Sequence, residues 1–147
     1  MKRQVTPTQL ALFSRSPVIG AWWEELNKID PERAPKPKAD SLDELLFESG
    51  HKHEDALIQD LGLNGKSVKR LSGKMNKEAY QETIAAMYEG FDFIHQASLQ
   101  NDELRGSADL LERIDQPSKL GAWSYIPIEC KFPSHSKPIY LVQACAY

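Results

Sequence analysis

The sequence predicts an α/β fold in which helices flank a small mixed or antiparallel sheet. Apolar residues recur at helical spacing over most of the first 90 residues. After Gly90 the spacing changes to two, which is typical of half-buried strands. The 147 residues match the length of one domain, and 41% hydrophobic with 27% charged residues is ordinary globular composition.

The composition also excludes several classes of protein, namely disordered chains, collagen-like chains and disulfide scaffolds. Two cysteines, Cys130 and Cys145, are too few for a four-thiolate zinc or iron–sulfur site within the chain. Lys2 and Arg3 are not followed by the apolar segment of a secretory signal. No run approaches the roughly 18 apolar residues of a membrane span. We therefore expect a cytoplasmic protein with no membrane partner.

Two helices are predicted first, because Thr6-Pro7 and Ser16-Pro17 each place an N-cap residue before a proline at the first helical position. Helical spacing then predicts which residues face inward: Leu10, Phe13, Ile19, Trp22, Trp23 and Leu26. The proline-containing residues 31–39 are expected to form an exposed loop.

The third predicted helix begins at a capping box formed by Ser41 and Glu44. His53 falls on its predicted buried stripe, whereas His51 points away from it. A lone histidine on an apolar face is usually a hydrogen-bonded core residue, so a ligand role needs further support. The whole stripe is Leu42, Leu45, Leu46, His53, Ala56, Leu57 and Leu61.

A short strand is predicted at residues 67–71, followed by a helix from the N-cap Asn76 to the stop at Gly90. Tyr80, Thr83, Ile84 and Met87 are the inward positions of this helix. Three antiparallel strands follow, separated by a turn and a loop, at residues 91–99, 104–114 and 123–132. A last helix is predicted to begin at Lys137-Pro138.

Two of these strands carry carboxylates in apolar surroundings. Glu129 and Lys131 are two residues apart and share a face, and pairing of the strands would bring Asp109 beside Glu129. Adjacent buried carboxylates repel unless a cation lies between them, and hard oxygen ligands favour Mg²⁺ or Mn²⁺. A lysine beside the cation suits the orientation of a water or the stabilisation of a charged phosphate. Taken alone, Glu129 and Lys131 equally fit a simple cross-strand ion pair.

The net charge of −3 argues against a protein that coats nucleic acid by charge alone. Charge is nevertheless segregated, because residues 40–60 are acidic and residues 62–77 hold five bases and no acid. The basic stretch is either a solvated loop or a phosphate-contacting patch. In the second case the candidate DNA-backbone contacts are Lys66, Lys69, Arg70 and Lys74.

Four ordered motifs together resemble the RecB-like branch of the PD-(D/E)xK nuclease superfamily. They are Gly-x-x-His-Glu at Gly50 to Glu54, Gly-x-x-Asp at Gly106 to Asp109, Glu129-Cys130-Lys131, and Gln-x-x-x-Tyr at Gln143 to Tyr147. Their order and spacing agree with that family over most of the chain from Gly50 onward.

The resemblance implies metal-dependent hydrolysis of DNA phosphodiesters with Mg²⁺ or Mn²⁺, in a PD-(D/E)xK core. It assigns metal binding to His53, Asp109 and Glu129, catalysis to Lys131 with the two carboxylates, and support of the site or of DNA to Gln143 and Tyr147. Besides DNA, a helicase or a further nuclease subunit is a candidate partner, in repair or recombination. The four-cysteine iron–sulfur cluster of some relatives is not expected in this chain.

The final predicted helix ends at Tyr147 with its last carbonyls uncapped. We therefore expect residues 1–147 to be one nuclease domain that is incomplete at its C-terminus. This motivates an alternative, a truncated or inactive nuclease fold that binds DNA or a partner. A weaker alternative is another carboxylate-pair hydrolase such as a glycosidase, whose chemistry does not require Lys131.

Overall fold

The computed structural model describes residues 4–30, 32, 41–130 and 145. These ranges contain four helices, none of which is long and apolar enough to cross a membrane. The elements in chain order are α1 (Pro7–Arg15), α2 (Pro17–Ile29), α3 (Ser41–Leu63), β1 (Val68–Arg70), α4 (Lys77–Glu89), β2 (Phe93–Gln100), β3 (Arg105–Ile114) and β4 (Ser124–Ile128). The predicted last helix lies outside the described residues.

The strands form one four-stranded mixed sheet in the order β1-β2-β3-β4. β1 is parallel to β2, while β2, β3 and β4 form an antiparallel meander. The general α/β fold and the antiparallel meander are therefore confirmed, whereas the parallel pairing of β1 with β2 was not predicted.

The two N-terminal helices begin where predicted. Thr6 Oγ1 accepts from the Gln9 backbone N–H at 3.2 Å, and Gln9 Oε1 accepts from the Thr6 N–H at 2.8 Å. The prediction that Leu10 and Trp22 lie in the core is wrong, because both are exposed and Trp22 keeps 56% of its surface accessible. α1 and α2 pack mainly on each other, which leaves these two side chains outside the contact.

The predicted buried face of α3 is wrong at His53 and Ala56. Both are exposed, while Ile58 is buried and Glu54 half-buried. Leu57 and Leu61 of the predicted stripe are half-buried, and the side chains of Leu42, Leu45 and Leu46 lie outside the described part of the structure. One residue turns a helix by about 100°, so the face that meets the sheet is rotated from the predicted stripe. Ile58 lies four residues after Glu54, and the two therefore share the face toward the sheet.

α4 lies against β2 and encloses the main core. Asn76 Oδ1 accepts from the Ala79 N–H at 2.9 Å, and Gly90 ends the helix with φ 78°, so both predicted caps are confirmed. Thr83 is fully buried, and its hydroxyl accepts from the Ser98 N–H of β2 at 2.9 Å. The buried cluster between helix and sheet comprises Ala86, Ile94, Ala97, Ala108 and Leu111.

The turn from α4 into β2 is closed by aromatic side chains. Trp123 Nε1 donates to the Met87 carbonyl at 3.1 Å, and the Tyr125 hydroxyl donates to the Phe91 carbonyl at 2.7 Å. Burial raises the pKa of Tyr125, so the phenol remains a neutral donor at physiological pH. These bonds hold β4 and the segment before it against the end of α4.

Candidate active site

Asp109 and Glu129 come from neighbouring segments at one end of the β3–β4 pair. The register sets Leu110 opposite Ile128 and Leu111 opposite Pro127, and its continuation by one residue would align Asp109 with Glu129. Glu129 itself follows the end of β4 at Ile128, so the strand predicted over residues 123–132 is too long. Asp109 Oδ2 accepts from the Cys130 N–H at 2.9 Å, which ties the aspartate to the residue after Glu129. Both acidic residues are half-buried. The contact between the two carboxylates themselves stays a prediction.

The backbone of β2 is distorted directly across from Asp109. The β2–β3 pairing runs from Phe93 opposite Glu112 to Gln100 opposite Arg105 but skips Gln96, which the same register would set opposite Asp109. Gln96 has φ 55°, and no other non-glycine residue in the described ranges has a positive φ. Such a conformation costs of order 1–3 kcal/mol for a residue with a side chain, and it is found disproportionately at functional sites.

The Gln96 side chain connects three elements. Its Nε2 donates to Glu54 Oε2 of α3 at 3.3 Å, and its Oε1 accepts from the Ser107 hydroxyl of β3 at 3.3 Å. Gly73, with φ 65°, leaves room for this amide, because a Cβ at Gly73 would lie 2.6 Å from Gln96 Oε1. The kink in β2 therefore directs Gln96 toward the helix that carries the first motif.

Glu54 also contacts the neighbouring residue of β2. His95 Nε2 lies 3.3 Å from Glu54 Oε2, and the two side chains are only 14% and 15% exposed. The sequence reasoning missed the positions of His95 and Gln96, and it singled out His53 rather than Glu54. The signal that favours Glu54 is Ile58, an apolar residue one helical turn later on the same face.

The other predicted site residues are distributed as follows. His53 is exposed on α3, one residue away from the face that meets the sheet. Lys131, Gln143 and Tyr147 lie outside the described residues.

The candidate DNA-contacting bases are not equivalent. Arg70 forms an ion pair with Asp55 of α3 at 2.8 Å, and Lys69 Nζ lies 5.5 Å from the centre of the Phe91 ring. Lys66 and Lys74 are exposed. Lys66 and Lys74 are therefore better placed for a phosphate than Arg70, whose charge is offset by Asp55.

The donor chemistry near Asp109 suits a hard divalent cation. Asp109, Glu129 and Glu54 offer carboxylate oxygens, the ligands that Mg²⁺ and Mn²⁺ prefer, and His95 offers an imidazole that suits Mn²⁺. Over the described ranges, however, no three His, Cys, Asp or Glu side chains are already grouped as a metal site. Of these candidate donors, Glu54 is held by His95 and Gln96.

Comparisons of the chain with known protein families, with curated proteins and with solved structures gave no match.

Proposed function

We propose that the chain is a metal-dependent nuclease that hydrolyses DNA phosphodiester bonds through a PD-(D/E)xK-type core. The observation that carries this proposal is the β3–β4 register: continued one residue beyond the Leu110–Ile128 pair, it would align Asp109 with Glu129. In support, Asp109 lies in β3 and Glu129 directly follows the adjacent β4, in the order of the motifs. Both residues are half-buried, and a divalent cation would offset the repulsion between their carboxylates.

Asp109 and Glu129 hold the cation in this proposal. A bound Mg²⁺ or Mn²⁺ would lower the pKa of a coordinated water and offset charge on the scissile phosphate. The Cys130 N–H fixes the Asp109 carboxylate through Oδ2 at 2.9 Å. Lys131, next after Cys130, positions the attacking water or stabilises the pentavalent phosphorus.

Glu54 replaces His53 as the proposed third ligand. Glu54 faces the sheet, and its contact with Gln96 sets it near the position across from Asp109. His53 is exposed and turned about 100° away around the helix. Binding the cation would require Glu54 to exchange its bonds to His95 and Gln96 for the metal, with those two residues guiding its approach.

The decisive experiment compares two Asp→Asn variants, one within β3 and one just after its end. Asp109→Asn keeps an oxygen that accepts from the Cys130 N–H but removes the ligand charge. Asp115→Asn removes an exposed charge just after β3 and serves as the matched control. End-labelled single- and double-stranded DNA is incubated with each protein in Mn²⁺ or in EDTA.

We expect Mn²⁺-dependent cleavage by the wild type and the Asp115 variant, and a loss of at least a hundredfold in Asp109→Asn. Lys131→Ala should abolish cleavage while leaving Mn²⁺ affinity, followed by calorimetry, largely intact. Equal activity of the two Asp variants, or cleavage that persists in EDTA, would contradict the proposed site. Circular dichroism of each variant confirms that the comparison is between folded proteins.

The alternative is a nuclease fold that binds DNA without cutting it. The observation that favours it is the engagement of Glu54 by His95 and Gln96, which leaves two carboxylates rather than three at the candidate centre. This alternative predicts DNA binding that falls steeply with salt and is insensitive to EDTA. Folded wild-type protein that binds DNA yet shows no metal-dependent turnover would select it.

A further inference from the structure

A second concave region lies away from the carboxylates, between α4 and the β2–β3 hairpin. It begins as a slot of about 240 Å³ with mostly apolar walls. One side is formed by α4 and the other by the ends of β2 and β3. The apolar lining residues are Tyr80, Ile84, Met87, Leu99 and Leu104.

Next to the slot lies a wider depression of about 750 Å³, whose lining residues are mainly polar and charged. Gln100, Asn101 and Arg105 line both spaces, so the two adjoin at these residues. The depression adds Lys77 from the first turn of α4 and Asp102 from the hairpin turn. We call the whole the hairpin cleft.

Positive charge at the mouth of the hairpin cleft comes from Lys77 and Arg105, against the one carboxylate of Asp102. Within the described part of the chain, neither basic side chain forms an ion pair. Both residues are exposed to solvent. An exposed guanidinium that forms no ion pair within the described residues is suited to bidentate recognition of a phosphate.

We propose that the hairpin cleft binds a nucleotide, with the base in the apolar slot and the phosphate at Arg105 and Lys77. Tyr80 offers an aromatic ring and Met87 a polarisable thioether, both of which favour contact with a base. The Gln100 side-chain amide, at the junction of the two spaces, carries donors and an acceptor for the polar edge of the base. The apolar slot therefore suits the base of a nucleotide, and the cations at one end suit its phosphate.

The position of the cleft along β3 connects it to the proposed catalytic centre. Arg105 precedes Asp109 by four residues on the same strand, which is about 13 Å at the rise of a β-strand. That distance corresponds to about four nucleotide steps along one strand of B-form DNA. If the nucleotide is a unit of the DNA, this assignment rests on the proposed nuclease function. A free nucleoside monophosphate has the same recognisable chemistry.

The test is an NMR titration in EDTA, so that no metal contributes to binding. The probes are inorganic phosphate, dAMP and a ten-nucleotide single-stranded oligonucleotide. The proteins are the wild type, Arg105→Ala, Ile84→Trp to fill the slot, and Lys119→Ala as a control that removes an exposed charge from a distant loop. Ile84→Phe, a smaller change, substitutes if the tryptophan variant does not fold.

We expect dAMP or the oligonucleotide to shift the backbone amide signals of Gly106 and Asn101. Arg105→Ala should weaken that binding at least tenfold, and Ile84→Trp should weaken it while leaving phosphate binding intact. Lys119→Ala should bind as the wild type does. Saturation by dAMP identifies a free nucleotide as the ligand, whereas a response to the oligonucleotide alone identifies a subsite for DNA.

Equal losses in the Arg105 and Lys119 variants would mean general charge attraction and would overturn the proposal. Unchanged dAMP and oligonucleotide binding in Ile84→Trp would also overturn it, because the slot would then be empty. Asp109→Asn separates the two proposals: it should lose cleavage but keep binding at the hairpin cleft. A wild type that never cleaves DNA, yet binds dAMP through Arg105, would refute the nuclease and retain the cleft.

Discussion

At the scale of single residues, Gln96 combines an unfavourable backbone conformation with side-chain contacts that link β2 to α3 and β3. Its left-handed backbone is unfavourable, but it turns the side chain toward Glu54 and Ser107. Its two hydrogen bonds are long, at 3.3 Å, so each offsets less of the strain than a typical hydrogen bond, which is worth about 0.5–1.5 kcal/mol net. We infer that the kink persists because the surrounding groups determine it, with Gly73 leaving the required space.

A pair of substitutions at Gln96 separates strain from function. Gln96→Ala keeps the strain and loses both bonds, whereas Gln96→Gly loses the bonds but adopts a positive φ without penalty. We therefore expect the glycine variant to be more stable than the alanine variant by about 1 kcal/mol in urea unfolding. Both should lose at least tenfold in Mn²⁺-dependent cleavage. A stable glycine variant with full activity would remove Gln96 from the proposed mechanism.

At the scale of elements, the sequence predicted the starts and ends of helices better than their faces. The caps at Thr6, Asn76 and Gly90 are local hydrogen-bonding devices, and all three are confirmed. The faces of α1, α2 and α3 depend on which neighbour each helix meets, which local spacing does not contain. The spacing therefore predicts a buried His53, although the sheet meets the adjacent Glu54.

In the strands too, local spacing predicts the elements, whereas contacts with residues distant in sequence determine the irregularity at Gln96. A change of apolar spacing to two predicts β2, β3 and β4, although β4 ends at Ile128, before Glu129. The interruption at Gln96 was not predicted, because it arises from contacts with α3 and with Gly73, far away in sequence. Strict alternation fails there, since Ile94 and Ala97, three residues apart, both join the core.

The cap of α4 gives a prediction at this scale. Asn76→Ala removes the acceptor of the Ala79 N–H and should lower the free energy of unfolding by about 1 kcal/mol. Asn76→Ser supplies another capping oxygen and should restore most of that loss. The measurement is urea denaturation followed by far-ultraviolet circular dichroism. Equal stability of the alanine and serine variants would show that the cap contributes nothing.

At the scale of the whole molecule, Asp92 joins segments that are distant in sequence. Its carboxylate accepts from the Ser67 N–H at 2.9 Å and from the Ser67 hydroxyl at 2.7 Å, and it pairs with Arg113 of β3 at 3.0 Å. The bonds from Ser67 are the main cause that lowers the pKa of Asp92, with Arg113 adding to it. β1, β2 and β3 are thus connected beside the turn that follows α4.

This lowered pKa predicts an acid dependence of stability. A carboxyl group with a lower pKa in the folded state stabilises the fold above its unfolded pKa, and that contribution is lost as the pH falls through the folded pKa. Asp92→Asn should therefore be less stable than the wild type at pH 7, with the difference shrinking below about pH 4. Urea unfolding from pH 2 to 7 measures it, with Asp115→Asn as control. A constant difference across that range would contradict the assignment.

The short segment before α1 has a consequence for the order in which the molecule assembles. Val5 donates to the Glu103 carbonyl at 2.7 Å and accepts from the Arg105 N–H at 3.0 Å, so it bridges to the β2–β3 turn across about a hundred residues. Pairings within the meander join residues that are near in sequence, so the loops that they close cost little conformational entropy. The Val5 bridge closes a much longer loop, which costs more. The meander can therefore form before the N-terminal helices are docked, and we expect those helices to open more readily than the meander.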